Sequence, residues 1–272
     1  MKSRPLEPKI LANYRQWRRD IQNGPYYPFR TVRSFNSVGT STIIMSAKTG
    51  RCHHLFSQGE LHSYVYLESL PQVFDIKEQF ALDPERTQRL AEELNIRHPG
   101  STQLRSITPI TTDLFVGFRS HARTRWVAMA RKPTNILAIA SPKGRTLRAV
   151  NSLRLEQAYW REFAVPWLLT TSADYDRREI YNLLFVRPRR QLPHDLRGHL
   201  APFSAYFQRE WTQHPLMPLA DLVAMSAQYF GLPLSQSYEL FKWLTWHRSL
   251  PIDLRGMLEL YLPLPRREGR TP

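Results

Sequence analysis

One cysteine, Cys52, stands in a chain of 272 residues. A lone thiol builds neither an internal disulfide nor a cysteine-rich zinc site, which suits a reducing compartment. Long apolar runs are missing as well. No stretch approaches the roughly 18 residues of a spanning helix, and the opening MKSRPLEPKI has no apolar signal core, so a cytoplasmic protein without a membrane partner is expected. The phosphate-cradling pattern G-x-x-x-x-G-K-[ST] is absent, as are G-x-G-x-x-G and G-x-S-x-G. Nucleotide hydrolysis, dinucleotide redox chemistry and strand-elbow serine hydrolysis therefore lack their usual signatures. Acidic charge is the last shortage. Against 38 Lys and Arg there are 23 Asp and Glu, a net charge of +15. Such a surplus faces something negative, and nucleic acid is the first candidate.

What is present reads as a folded chain. Hydrophobic residues at 42% and charged residues at 22% exclude a disordered or coiled-coil architecture, and the length favours two modest domains. The basic charge is uneven. Residues 1 to 60 hold ten Lys or Arg against Glu7, Asp20 and Glu60, and residues 114 to 150 hold eight with no acid. Either block reads as a solvated face or as a phosphate-contacting one. Residues 1–40 read as a basic N-terminal arm with one short helix near Leu11 to Gln22. Between Ser41 and Thr171 the pattern alternates strand-like and helical runs, an α/β core. Two short strands flank the turn Lys48-Thr49-Gly50, and Ser57-x-x-Glu60 marks a helix start that turns Leu61, Tyr64 and Val65 inward. QVFDIKEQFA reads as a strand and Pro84 to Leu94 as a helix. TDLFVGF and WVAMAR form a hairpin, and the AVPWLLTT run reads as a buried strand. A symmetric connection through RSHARTR sets Leu114 opposite Arg131 and Asp113 opposite Lys132. Thr146 to Phe163 is helical, with Leu147, Val150, Leu153 or Arg154, Gln157 and Trp160 spaced along it. Residues 172–272 then shift to three helices, Asp195 to Trp211, Ala220 to Phe230 and Ser235 to Trp246. The pair around GLPLS suggests a helix-turn-helix with a wing supplied by SLPIDLRGMLELYLP, or equally a small helical interaction domain.

Glu60, Asp113 and Lys132 are the residues with chemistry to offer. Phosphodiester hydrolysis needs hard oxygen ligands for Mg²⁺ and a cation beside the attacking water, and a strand Asp near a strand Lys supplies one of each. Each has a plainer alternative: a capping-box acid for Glu60, a turn former for Asp113, a solvated cation before Pro133 for Lys132. His53, His54 and His62 carry no zinc pattern, because neighbouring strand residues point to opposite faces.

The blocks TGRCHHLFSQGELHSYVYLES, FDIKEQFAL, TTDLF, ARKP and LRLEQAYWREFAVPW run in order from Thr49 to Trp167. Together they resemble the TnsA family, the endonuclease subunits of heteromeric transposases. The resemblance implies a restriction-endonuclease-like domain over 41–171, with a central mixed sheet flanked by helices, and a winged-helix-like domain over 172–272. It implies a Mg²⁺-dependent DNA endonuclease, with Mn²⁺ a substitute, that cuts the 5′ ends of a transposon. A TnsB-type transposase cuts and joins the 3′ ends, and a TnsC-type ATPase regulates the assembly, on the bacterial nucleoid when active. Carried over by motif, the metal-binding acids are Glu60 in SQGEL and Asp113 in TTDLF, and the catalytic lysine is Lys132 in ARKP. One departure stands out: two residues before the lysine the fold carries an acid or amide, and this chain has Ala130. Glu156 is the substitute to test, against its reading as an ordinary helix-surface acid. A chain cut after about Thr171 is expected to keep the catalytic fold. A stand-alone restriction or repair nuclease and a non-catalytic DNA-binding regulator are the competing readings.

Overall fold

The structure is a computed structural model and describes residues 6–34, 40–100, 106–121, 123–134 and 143–267. The stretch 135–142 of the second basic block lies outside the described residues. Two compact units divide the chain: Met1–Ile44, Cys52–Tyr64 and Gln72–Asp174 form the first, and Met45–Arg51, Val65–Pro71 and Tyr175–Pro272 the second.

Helix α1 (Pro8–Asn23) opens with proline in its first turn, where the missing N–H costs nothing. Its Tyr14 and Trp17, three residues apart, are buried, and Trp17 meets the edges of Phe29 and Phe80, each at 5.4 Å between centroids. The segment read as an arm thus carries a helix docked on the first unit's core. Strands β1 (Thr42–Met45) and β2 (Cys52–Leu55) pair as a two-stranded sheet. Helix α2 (Gln58–Ser69) follows and buries Leu61, Tyr64 and Val65 as its pattern requires. Then come β3 (Val73–Ala81), α3 (Pro84–Glu93), β4 (Thr111–Ser120), β5 (Arg123–Arg131), α4 (Gly144–Glu162) and β6 (Trp167–Thr170). Asp83 caps α3, its carboxylate accepting from Glu85 N and Arg86 N.

The central sheet runs β3-β4-β5-β6, antiparallel except for β6, which lies parallel to β5 across the α4 crossover. This is a mixed sheet. Its register corrects the symmetric hairpin: Leu114 faces Met129 and Val116 faces Val127. The ladder closes at Ser120 and Arg123, so the connection is much shorter than RSHARTR suggests, and His121 turns it at φ 51. Every pairing slides by two residues, and Asp113 falls opposite Ala130 rather than Lys132. A slip of two preserves facing, so Asp113, Phe115, Ala128 and Ala130 still share one side. On that side Phe115 stacks on Trp160 of α4, 4.7 Å between centroids. The buried stripe of α4 is Leu153, Leu155, Glu156, Ala158, Tyr159 and Trp160, whereas Leu147, expected inside, is exposed. Strand β6 is half exposed with Leu168 outward, because β6 is the edge of the sheet.

The second unit is helical: α5 (Arg177–Val186), α6 (His194–Arg197), α7 (Leu200–Gln213), α8 (Leu219–Phe230) and α9 (Leu234–Trp246). Gly198 interrupts what reads in sequence as one helix from Asp195 to Trp211. Phe203, Phe207 and Trp211, one turn apart on α7, are buried along with Leu222 and Val223 of α8 and Leu240, Phe241 and Leu244 of α9. Gly231 links α8 to α9 at φ 62, a left-handed cap that suits glycine. After α9 the described residues form isolated bridges, Ile252 with Arg266 and Pro218 with Pro263, where a wing was expected.

Candidate active site

Glu60 sits at the start of α2, and the serine three residues earlier determines its setting. Ser57 Oγ accepts from Glu60 N at 3.2 Å and donates to Glu60 Oε1 at 3.1 Å. Oε2 accepts from Phe56 N at 3.0 Å. The carboxylate therefore does reach back to a backbone N–H, but to that of Phe56 and not to that of Ser57. Burial and the neighbouring Asp113 push the Glu60 carboxyl up to about 7, against the pull of those donors and of Lys132.

Asp113, near the start of β4, accepts from Arg131 N at 2.7 Å and from Lys132 Nζ at 3.3 Å. Lys132 reaches Asp113 diagonally, since its own backbone has moved past the facing position. The Lys132 Nζ also donates to Arg131 O at 3.0 Å. Asp113 raises the Lys132 pKa against the effect of burial, with Glu156 and Glu60 adding to it, so the ammonium stays charged. The structure thus brings Glu60, Asp113 and Lys132 into one electrostatic cluster.

Glu156 joins them from α4, and here the helix-surface reading fails: the residue is 4% exposed. Its Oε1 makes no protein hydrogen bond, and neither does the buried indole nitrogen of Trp167. Burial first, then Asp113, push its carboxyl up to about 8, against the opposing pull of Lys132. Ala130 has no solvent exposure and offers only a methyl.

Three further groups line this region: Gln79 and Gly59 stand inside the quoted blocks without a role assigned there, and Arg30 stands outside them. Gln79, buried in β3 at φ 50, donates to Glu60 Oε2 at 3.4 Å and accepts from Thr111 Oγ1 at 2.9 Å. A left-handed glutamine inside a strand is costly, and such strain gathers at functional sites. Arg30, largely buried, feels Asp113 and donates to Pro109 O at 2.7 Å. Gly59 in SQGEL lets the Arg131 guanidinium come close enough to donate to its carbonyl at 3.3 Å; a Cβ there would stand 3.1 Å from Arg131 Nε. Neither Gln79 nor Arg30 follows from local pattern, because each reaches the site only through the fold.

Among the described residues no group of three or more His, Cys, Asp or Glu side chains has the spacing of a metal cage. The histidines go elsewhere: His53 is fully buried against Glu78, Nδ1 to Oε2 2.9 Å, and His54 Nδ1 accepts from Val32 N. The carboxylates are still the right donors for a hard cation. Glu60 and Glu156 are each raised by the same Asp113, and a divalent ion relieves that crowding.

Residues 70–172 match the family model described as TnsA-like endonuclease N terminal. The chain is also 30% identical over 207 residues to the transposon Tn7 transposition protein TnsA of Escherichia coli, covering 75% of this chain and 72% of that one. With an acid–lysine cluster on a mixed sheet inside the matched region, the chain belongs to the TnsA-like endonuclease family of transposition proteins.

Proposed function

We propose that this chain is the subunit that hydrolyses DNA phosphodiesters at the 5′ ends of a transposon, together with a TnsB-type transposase and a TnsC-type ATPase. The observation that carries the reading is the Lys132–Asp113 contact of 3.3 Å, with Glu60 and Glu156 buried close enough to feel the charge of both residues. Glu60 and Asp113 would hold Mg²⁺, with Mn²⁺ a substitute, and Glu156 takes over the ligand position that Ala130 leaves without oxygen. A bound divalent ion would neutralise the phosphate and acidify a coordinated water. The chain's own groups do the rest. Asp113, fixed by Arg131 N, holds the Lys132 ammonium where it orients the attacking water and offsets charge on the phosphate. Ser57 and Phe56 N keep the Glu60 carboxylate turned into the site. The α8–Gly231–α9 pair supports a winged-helix-like role for the second unit, in which partner docking takes precedence over base reading. The expected setting is the bacterial nucleoid.

The test is strand-by-strand cutting of a mini-transposon by the full chain with both partners. Asp113→Ala should lower 5′-strand cutting by on the order of 100-fold or more, since even supporting residues of metal sites cost about 10- to 100-fold, while 3′-strand cutting persists. Wild-type 5′ cutting by this variant would falsify the site. Efficient, sequence-specific cutting by the chain alone would instead favour a stand-alone nuclease.

A further inference from the structure

A basic concavity lies in the first unit, where α1, α3 and α4 contribute side chains. It has a volume of about 410 Å³ and is lined by Arg15, Arg18, Arg19 and Arg86 together with Tyr14. The acids around it are largely committed. Asp83 accepts the backbone N–H groups of Glu85 and Arg86, Glu85 pairs with Arg15 at 3.2 Å, and Glu162 is held at 2.8 Å by Arg89, with Arg86 at 3.6 Å. With Glu93, which Arg89 also holds at 3.3 Å, five guanidiniums face four carboxylates. Arg18 makes no ion pair among the described residues. Its guanidinium lies over Phe80 and Trp17, 5.6 and 5.9 Å from their centroids, and that of Arg86 lies 5.1 Å over Phe163. Stacking of this kind fixes the plane of a guanidinium and leaves its N–H edge free to bond an anion.

Tyr14 adds an independent sign. It is 6% exposed as a residue and lines the concavity. Burial, with Tyr159 and Asp83 nearby, raises its pKa, so it remains a donor. A phenolic donor beside arginines is placed to bond an oxyanion together with them.

We infer that this concavity seats a phosphate of the DNA backbone, held by Arg18, Arg19 and Arg86 and by the Tyr14 hydroxyl. The proposal rests on the DNA-cutting reading above. A backbone phosphate suits the place better than a carboxylate of an acidic peptide: the concavity is open, it belongs to the same unit as the cutting site, and four of its eight lining residues are arginines. Contacts of this kind position a duplex without reading sequence.

The measurement is binding of the full chain to a fluorescein-labelled duplex, without divalent metal, across a range of KCl concentrations. Inorganic phosphate and poly-glutamate serve as competitors, and melting curves verify folding. Arg18→Gln should weaken binding several-fold and lower the slope of log K against log salt by about 0.9, the release expected for one phosphate contact. Tyr14→Phe should weaken binding while leaving the slope unchanged, because it removes a donor and no charge. Arg19→Gln, whose side chain contributes nothing to the core, repeats the slope test if Arg18→Gln does not fold. Wild-type affinity and slope in folded Arg18→Gln and Arg19→Gln chains overturn the proposal, as does a loss confined to poly-glutamate competition, which would mark an acidic-protein surface. Relief of the mutational difference by millimolar phosphate alone would point to a free-phosphate site and equally overturn it. If the wild-type chain binds no duplex, the DNA-cutting reading fails along with the proposal; if it binds and the variants match it, only the proposal fails.

Discussion

Glu156 concentrates the conflict between folding and chemistry in one side chain. Its carboxyl is buried at 4% exposure, one oxygen lacks a hydrogen bond, and Asp113 opposes its ionisation. An ordinary glutamate near 4.5 is held here near 8. The native state therefore keeps a proton that the unfolded chain releases, and the resulting stability is complete below about pH 4.5 and lost as pH rises through about 8. Glu60, raised to about 7, works in the same direction. Without metal, the wild-type chain should become less stable between pH 5 and pH 8 by on the order of a few kcal/mol. Glu156→Gln keeps the shape without the charge, so it should melt higher than wild type at pH 8 and show a flatter pH profile. Thermal melting in EDTA decides this, and parallel profiles for the two proteins would remove the burial cost from the account. On the proposed site the same variant should cut poorly, because an amide would offer a divalent ion a neutral oxygen in place of an anionic one.

At the level of elements, the β4–β5 hairpin shows what the pattern could and could not carry. Alternation located both strands and put Asp113 on the face it occupies, because a period of two survives any even slip. Register was not legible. It depends on how tightly the chain turns after Ser120, and the polar run RSHARTR permits several lengths. For α4 the periodic reading chose Leu147 for the core, although the stripe through Leu155 and Trp160 is the one that meets Phe115. Aromatic stacking against the sheet decides that orientation, and a helix read alone does not contain it. The capping pair Ser57 and Glu60 was legible because it is local; Gln79 and Arg30 were not, because they reach the site only through the fold. Gly117 provides a test of how closely this hairpin packs on β3. A Cβ there would stand 2.6 Å from Phe74 Cζ, and Phe74 is already braced edge-on against Trp126 at 5.4 Å and beneath Arg119. Gly117→Ala should cost roughly 1–3 kcal/mol, the usual range for overpacking. Urea unfolding at the wild-type midpoint would reveal it, and an unchanged midpoint would mean that Phe74 swings aside freely.

For the whole molecule, chain order and compact units do not coincide. Met45–Arg51 and Val65–Pro71 belong with the C-terminal helices, so α2 contributes Glu60 to the first unit and Glu68 to the second. Within the second unit Glu68 is the fixed point. It is 2% exposed, accepts Arg187 Nε at 2.6 Å and Arg187 Nη2 at 3.1 Å, and takes a further bond from Ser46 Oγ at 2.5 Å. Lys48 Nζ closes the same region on Leu70 O at 2.6 Å. A chain ending after Thr171 keeps Glu68, Ser46 and Lys48 but loses Arg187 and the helices around them. The expectation that such a fragment keeps its fold therefore meets a physical objection: it removes the Arg187 guanidinium that both Glu68 oxygens accept from and leaves Lys48 as a cation near that carboxylate. Arg187→Ala in the full chain isolates that effect. Breaking one partner of a buried pair costs about 3–5 kcal/mol, whereas replacing both with apolar residues of similar size is near neutral. Arg187→Ala should thus lower the unfolding midpoint strongly, and Glu68→Leu combined with Arg187→Met should recover most of the loss. A mild single variant would show that water reaches Glu68 readily, and the Thr171 truncation would then become a sound way to isolate the nuclease.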